Sequence, residues 1–184
     1  MRVCLLLVAA VLDCAGQQSE SLAPYLPSPQ VIVDKMLEAA RLKPGEVIYD
    51  LGSGDGRIVI TAAQKFKARA IGIELQNGLF QSTTKRVASL GLEKQVKIIH
   101  GNALDIDLSP ADVVTVYLLT SSNEKLKPNF DKYLKPGARV VSYAFEIRGW
   151  QPARVETVQL EGRLHSIYVY EMKGKKKAET AGKK

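Results

Sequence analysis

The sequence predicts one α/β domain with a mostly parallel central sheet, helices on both faces and an antiparallel C-terminal hairpin. Short apolar runs, such as residues 47–50 and 112–119, alternate with stretches of helical periodicity, as in a sheet covered on both faces. Only residues 146–152 separate the fifth predicted strand from the sixth, too few for a crossover helix, so the final strands are expected to run antiparallel. With 184 residues, 46% of them hydrophobic, the chain can form one such domain.

Both ends of the chain are predicted to lie outside this domain, which covers residues 25–172. Residues 1–16 are typical of a signal peptide, with Arg2 as the positive start, an apolar segment too short to span a bilayer, and a small-residue cleavage site. We therefore expect export to the periplasm or the extracellular space; the alternatives are a buried N-terminal element and a cytoplasmic protein. Residues 17–24 are a polar linker, and the Lys-rich tail, residues 173–184, is expected to be disordered.

Charge and cysteine content exclude several classes of protein. The tail holds six lysines and one glutamate, so five of the seven net positive charges lie there. The domain itself is therefore not strongly basic, and no specific nucleic-acid partner is expected. Cys4 and Cys14 both lie in the predicted signal peptide, so the processed chain has no cysteine for a disulfide, a metal site or a nucleophile. We expect a monomer without a metal and without a transmembrane segment in the mature protein.

The first helix is expected to begin beside two prolines. Pro27 and Pro29 impose an extended conformation, after which Ser28 can cap the helix with Pro29 in its first turn. The predicted apolar face of this helix consists of Val31, Met36, Leu37 and Ala40.

The remaining elements continue the alternation. Further strands are predicted over residues 70–74, 96–99, 112–119, 138–145, 154–160 and 164–170, with Gly162 in the hairpin turn. Helices are predicted over residues 58–65, from a cap at Asn77 to Leu90, and over 124–134. Asn123 either caps this last helix or belongs to the site. Trp150 is expected to pack against the sheet more readily than to line a site.

The turn after the first strand carries the chemistry. Residues 47–56 read Val-Ile-Tyr-Asp-Leu-Gly-Ser-Gly-Asp-Gly, so a buried strand leads into a glycine-rich turn that lets the backbone approach a ligand. Asp50 and Asp55, with Glu74 at the end of the second strand, would oppose the pyrophosphate of a dinucleotide. S-adenosylmethionine fits better, because its methionyl end carries an ammonium and a sulfonium and Glu74 could hold its ribose diol. A capped tight turn without a ligand is the structural alternative. The predicted cofactor-binding residues here are Asp50, Gly52, Ser53, Gly54, Asp55, Gly56 and Glu74.

These residues carry a family resemblance. Asp-Leu-Gly-Ser-Gly-Asp-Gly-Arg (50–57) followed by Gly-Ile-Glu (72–74) resembles motif I and its acidic partner in class I S-adenosylmethionine-dependent methyltransferases, which have a Rossmann-like fold. Tyr-Leu-Pro-Ser-Pro (25–29), Tyr-Leu-Leu (117–119) with Asn123, and Lys-Pro-Gly-Ala-Arg-Val-Val-Ser (135–142) are similar to the small single-domain protein lysine methyltransferases of archaea and mitochondria, which lack a SET domain. The resemblance covers residues 25–170.

The resemblance implies further site residues. Tyr25 and Ser28 would lie near the methionyl end of the cofactor. Asn102, with Ala103, stands where these enzymes hold the adenine, usually through an acidic residue, and an amide can both donate and accept there. Tyr117, Phe145 and Asn123 would border the catalytic channel, with the two rings as walls that can hold methylated ammonium groups.

The sequence therefore predicts methyl transfer from S-adenosylmethionine, with lysine side chains of an unidentified protein as the implied acceptors. A lysine near its normal pKa of roughly 10.4 is almost fully protonated at neutral pH, so desolvation in a narrow channel would have to favour the neutral amine. The alternatives are methylation of a small molecule, and an exported protein that binds the cofactor without catalysis. A nicotinamide-binding protein ranks last because of the carboxylates.

Overall fold

The computed structural model describes Leu22 and residues 25–173. The predicted signal peptide, most of the linker and nearly all of the Lys-rich tail lie outside the described residues. The proposed boundaries at residues 16, 24 and 172 therefore stay predictions.

The described part of the chain forms one seven-stranded sheet in the order β3-β2-β1-β4-β5-β7-β6. The strands are β1 (Val47–Leu51), β2 (Arg69–Glu74), β3 (Val96–His100), β4 (Val113–Val116), β5 (Arg139–Tyr143), β6 (Arg154–Leu160) and β7 (Arg163–Glu171). Strands β1 to β5 pair in parallel, whereas β7 runs antiparallel to both β5 and β6. The predicted mostly parallel sheet with an antiparallel C-terminal hairpin is confirmed.

Helices cover both faces of the sheet. They are α1 (Gln30–Ala39), α2 (Arg57–Phe66), α3 (Asn77–Ser89) and α4 (Thr120–Tyr133). Helices α1 and α2 bury apolar side chains with one core cluster, which Val87 of α3 joins. Helix α4 packs on the opposite face, where Leu126 and Phe130 belong to a second cluster. Each side of the sheet therefore has its own core, as the continuous apolar strands require.

Five details of the predicted elements were wrong. The residue before α1 is Pro29, in an extended conformation, so Ser28 does not cap that helix, and Val31 is 49% exposed outside its apolar face. Asn77 is the first residue of α3 and not its cap. Strand β4 spans only Val113–Val116. Helix α4 begins at Thr120, which places Asn123 inside it.

The predicted packing role of Trp150 is confirmed. Its ring lies 5.9 Å from that of Phe130 and 5.8 Å from that of Tyr170, measured between centroids. These contacts place Trp150 against α4 and β7, within the second core cluster.

Candidate active site

A cleft of about 830 Å³ opens at the carboxyl ends of β1, β2 and β4. The chain proceeds from β1 outward to β3 and then crosses back to β4, so the cleft lies where open α/β sheets bind ligands. Eleven of the fourteen predicted site residues line it: Tyr25, Ser28, Asp50, Gly52, Ser53, Gly54, Asp55, Glu74, Asn102, Ala103 and Tyr117. The lining does not include Gly56, Asn123 or Phe145.

Asp50 is a buried carboxyl at the end of β1. Its side chain accepts a hydrogen bond of 2.8 Å from the Thr115 hydroxyl on the neighbouring strand, and the residue is only 3% exposed. Burial, together with the nearby Glu74 and Asp55 carboxylates, raises the pKa of Asp50 to about 7. Within the described residues Asp50 takes part in no ion pair. A cationic ligand in the cleft would supply the missing counter-charge.

Glu74 is held in a fixed orientation by the backbone around it. One carboxylate oxygen accepts a hydrogen bond from the Gly54 amide and the other accepts one from the Gln76 amide, each at 2.7 Å. Each oxygen retains a further lone pair for a ligand. This buried carboxylate can therefore accept hydrogen bonds from two adjacent hydroxyl groups, such as a ribose diol.

The glycine-rich turn brings its backbone close to neighbouring side chains. Gly54 has a φ of +54°, and a Cβ there would lie 2.7 Å from the ring of Tyr25. Gly56, also with positive φ, leaves no room for a Cβ beside Thr83, whose hydroxyl donates to the Gly54 carbonyl. Only glycine satisfies both the left-handed backbone and the close approach. Gly56 thus supports the turn from behind and does not line the cleft.

Arg57 lines the cleft and fixes the groups at its entrance, although it was not predicted as a site residue. Its guanidinium donates to both carboxylate oxygens of Asp55, at 2.9 and 2.7 Å, and to the Ser28 carbonyl at 2.6 Å. The hydrogen bond and charge of Arg57, with a further contribution from Arg86, hold the pKa of Asp55 below its usual range. Asp55 is thus a neutralised anion, and the uncompensated negative charge of the cleft comes from Asp50 and Glu74. The Asp-Gly-Arg order in the turn is the signal that could have revealed this pair.

Asn102 closes the far end of the cleft. Its Oδ1 accepts a 3.0 Å hydrogen bond from the Leu104 amide and so caps the short 3₁₀ helix Ala103–Asp105. No hydrogen bond from Nδ2 of this side chain to another described residue is seen, so Nδ2 can donate to a ligand, and Oδ1 can accept a second hydrogen bond. Ala103 is buried beside it.

An aromatic group lies at the other end of the cleft, beside Tyr117. The Tyr117 ring centroid is 6.2 Å from that of Phe145 and 4.3 Å from that of Tyr143. Tyr143 in turn forms a hydrogen bond with His165. Tyr143 and His165 were not predicted as site residues, because they belong to β5 and β7 and meet only through the pairing of these strands.

Asn123 is fully buried behind this aromatic group. Its Nδ2 lies 3.4 Å from both the Ser142 hydroxyl and the Phe145 carbonyl, while its Oδ1 has no hydrogen-bond partner within the described residues. The alternative that it caps α4 is wrong, because the helix already begins at Thr120. Asn123 contacts the turn that carries Phe145.

The cleft fits S-adenosylmethionine on the chemistry of its own residues. Asp50 is a buried carboxyl that lacks a cation, Glu74 is preoriented for a diol, and the Ser53 hydroxyl is buried without a hydrogen-bond partner among the described residues. Asp50 therefore matches the ammonium of the ligand, Glu74 matches its ribose, and Ser53 matches a polar group at its end. In the described ranges no group of three or more His, Cys, Asp or Glu side chains could hold a metal ion. None of the helices described there is long and apolar enough to cross a membrane.

Comparison with known proteins identifies the class and the family. The sequence profile of the ANTKMT methyltransferase domain matches residues 50–154. A protein-lysine N-methyltransferase of Saccharolobus islandicus is 44% identical over 148 residues, covering 80% of this chain and 92% of the relative. The mouse adenine nucleotide translocase lysine N-methyltransferase is 33% identical over 132 residues, covering 72% of this chain but only 57% of the relative.

A solved structure with a bound cofactor product agrees in fold. It is described as an RNA methyltransferase from Salinibacter ruber in complex with S-adenosyl-L-homocysteine, and it superimposes with a TM-score of 0.75 at 42% identity. The match covers 80% of this chain and 94% of that one. Fold, cleft and relatives together define a class I S-adenosylmethionine-dependent methyltransferase with a Rossmann-like sheet. Within that class, the chain belongs to the family of the ANTKMT methyltransferase domain.

Proposed function

We propose that this methyltransferase acts on lysine side chains of proteins. The observation that carries the proposal is the 44% identity to the Saccharolobus protein-lysine N-methyltransferase, which extends over 92% of that relative. The aromatic group beside the cleft supports the same acceptor, because aromatic faces attract ammonium and methylated ammonium groups.

The roles of the site residues follow from their contacts. Bound S-adenosylmethionine supplies an electrophilic methyl group on its sulfonium. We assign its ammonium to Asp50, its ribose diol to Glu74 and its adenine to Asn102, with Tyr25 and Ser28 closing over the methionyl end. Asp50, Glu74 and Asn102 each keep hydrogen-bonding capacity beyond the bonds that they make within the protein.

Tyr117 and Phe145 act on the acceptor in this proposal. Burial raises the pKa of Tyr117, which keeps its hydroxyl neutral. A lysine amine beside these rings would be desolvated, and desolvation favours the uncharged form that attacks the methyl group. Asn123 contributes by fixing the turn of Phe145. Holding both reactants at near-attack distance then accounts for much of the rate.

A second candidate acceptor is RNA. The observation that favours it is the description of the 42% identical Salinibacter structure as an RNA methyltransferase. Against it stands the charge distribution, since most of the net positive charge of this chain lies in the tail and not in the domain.

The test supplies the full chain with isotope-labelled S-adenosylmethionine and either a lysine-rich protein mixture or total RNA. We expect label in protein, located on lysine by mass spectrometry, and none in RNA. Asp50→Ala should abolish the transfer, whereas Asp107→Ala, at an exposed loop aspartate, serves as the matched control. Label in RNA alone would overturn the lysine proposal, and label in neither acceptor would favour a small-molecule acceptor or a binding protein without catalysis.

Two further proposals concern the whole protein. We infer that it is exported after cleavage behind residue 16, and that it acts as a monomer. The leader supports export, and N-terminal sequencing of the protein purified from its native cells tests it. An intact Met1 would contradict export. Sedimentation at micromolar concentration tests the monomer, and a stable dimer would overturn that inference.

A further inference from the structure

A buried tyrosine and a half-buried histidine beside the active site are joined by a hydrogen bond that has no role in the proposed reaction. The Tyr143 hydroxyl, at the end of β5, lies 2.7 Å from Nδ1 of His165 on β7. Tyr143 is 3% exposed, and the two rings are stacked with centroids 5.9 Å apart. A buried phenol bonded to an imidazole can pass a proton as well as pack.

This pair connects two cavities. On one side, the Tyr143 ring lies 4.3 Å from that of Tyr117, which lines the cofactor cleft. On the other side, His165 lines a second cavity, open to solvent, together with Pro29, Leu160, Glu161 and Arg163. Tyr117, Tyr143 and His165 therefore form a row of side chains from the cleft to the second cavity.

The reaction requires such an exit for a proton. A lysine acceptor arrives as an ammonium, and only the neutral amine has the lone pair that attacks the methyl group. The proton leaves from a site bordered by the cofactor on one side and by aromatic rings on the other. A hydrogen-bonded route through the protein gives it a path away from the cofactor.

We propose that Tyr143 and His165 form a proton relay that carries the proton of the acceptor lysine from the cofactor cleft to the second cavity. The proposal rests on lysine as the acceptor, as inferred above. The phenol oxygen of Tyr143 takes a proton from the ammonium while its own hydroxyl proton passes to Nδ1 of His165. His165 then releases its Nε2 proton to water in the second cavity, and exchange between the two imidazole tautomers resets the pair. One proton moves from ammonium to water, and the amine keeps its electron pair.

The surroundings of the pair suit a relay. Burial and the nearby Tyr117 raise the pKa of Tyr143, so it passes a proton as a neutral phenol and does not act as a phenolate base. Val158 is the strand partner of His165 on β6 and carries no charge. The charged groups that share the second cavity with His165 are Glu161 and Arg163, which have opposite signs.

The experiment compares the pH dependence of kcat for the full-length wild type and three variants on a synthetic lysine-rich peptide. Tyr143→Phe keeps the ring against Tyr117 but removes the hydroxyl, and His165→Ala removes the imidazole. Tyr168→Phe is the matched control for Tyr143→Phe, since it removes a tyrosine hydroxyl from β7, the strand of His165, on the opposite face of the sheet. We expect Tyr143→Phe and His165→Ala to lower kcat at pH 7 by about 100-fold, the lower end for acid–base assistance. The deficit should shrink as the pH rises towards about 10, because a growing fraction of the free peptide amine is then already neutral. The affinity for S-adenosylmethionine should stay unchanged.

Rescue separates a relay from a packing role. Imidazole added to His165→Ala can enter from the second cavity and should restore kcat in proportion to its concentration. Parallel pH profiles of the variants and the wild type, or no rescue of His165→Ala, would overturn the relay while leaving lysine methylation in place. A wild type that transfers no methyl group to the peptide at any pH would instead overturn lysine as the acceptor, and the relay with it.

Discussion

At the scale of single residues, Asp50 combines deep burial with an unpaired charge. In the free protein the pKa of this carboxyl is about 7, compared with an ordinary pKa of 3.8, so Asp50 keeps its proton in mildly acidic solution. A cationic ligand binds best to the ionised form, so cofactor binding and loss of this proton are linked.

This linkage predicts a pH dependence of cofactor affinity. Below pH 7, binding of S-adenosylmethionine must displace the proton from Asp50, so its dissociation constant should fall by up to about tenfold for each pH unit gained. The fall should end near pH 7, and above about 7.7–8.0 the affinity should weaken again because the α-amino group of the ligand loses its own proton. Without a ligand, the stability of the protein depends on pH in the opposite direction to the cofactor affinity. The free energy of unfolding should fall as the pH rises from 3.8 towards about 7, because the folded state binds the extra proton. Calorimetric titration between about pH 5 and 7.2, below the pKa of the α-amino group of the ligand, measures the affinity.

The control for this prediction is Asp50→Asn, which cannot ionise. Its weaker affinity should be independent of pH over the same range, because the displaced proton is absent. A wild-type affinity that is equally flat would mean that Asp50 is already ionised in the free protein, and the charge argument for the cofactor would lose its main support.

Single residues also show which parts of the site could be predicted from sequence. Asp50 and Glu74 could be placed because each ends a strand of recognisable pattern, and adjacent parallel strands end at the same edge of the sheet. The hydrogen bond of Thr115 to Asp50 joins residues 65 positions apart, and no local pattern encodes it. His165 was missed for the same reason, since its relation to Tyr143 depends on the register of β5 with β7.

At the scale of elements, the glycine-rich turn is held by packing between its backbone and α3. The Gly56 backbone is left-handed with a φ of +74°, and an added Cβ would lie 2.5 Å from the Thr83 methyl group. Gly78, at the start of α3, has open space around it. The two positions therefore offer a matched pair of substitutions.

We predict opposite effects of alanine at these positions. Gly56→Ala should lower the free energy of unfolding by about 2 kcal/mol or more, because left-handed backbone costs a residue with a Cβ about 1–2 kcal/mol before the clash is added. Gly78→Ala should raise it by up to about 1 kcal/mol through helix propensity. Urea denaturation followed by circular dichroism measures both. Equal stability of the two variants would show that Thr83 moves aside and that the turn tolerates a side chain.

Helix α4 shows why element boundaries were harder to predict than elements. The sequence-based helix started after Asn123 because Asn is a common cap and the apolar run was extended to residue 119. In the structure the extended backbone ends at Leu119 and the helix begins immediately. Asn123 is thus turned into the protein, where its Nδ2 donates to the Ser142 hydroxyl and the Phe145 carbonyl. Tertiary contacts here override the local capping preference.

At the scale of the whole molecule, the cofactor cleft draws residues from distant parts of the chain. Tyr25 precedes the first helix, Asp50 and Glu74 end β1 and β2, and Tyr117 follows β4. A ligand that contacts all four binds only the folded chain. Cofactor binding should therefore stabilise the domain as a unit, as expected when a ligand binds the native state alone.

This coupling predicts a selective thermal shift. At a concentration of S-adenosylmethionine 100 times its dissociation constant, the stabilisation is about 2.7 kcal/mol, which for a chain of this size corresponds to a rise in Tm of roughly 5–11 °C. NAD at the same concentration should produce no shift, because its pyrophosphate would face Asp50 and Glu74. Differential scanning fluorimetry of the full chain with each ligand makes the comparison. An equally large shift in Tm with NAD would show that the two carboxylates do not discriminate between the ligands by charge. A shift that occurs only with S-adenosylmethionine, and that is lost in Asp50→Ala, would attribute the selectivity to the Asp50 carboxylate.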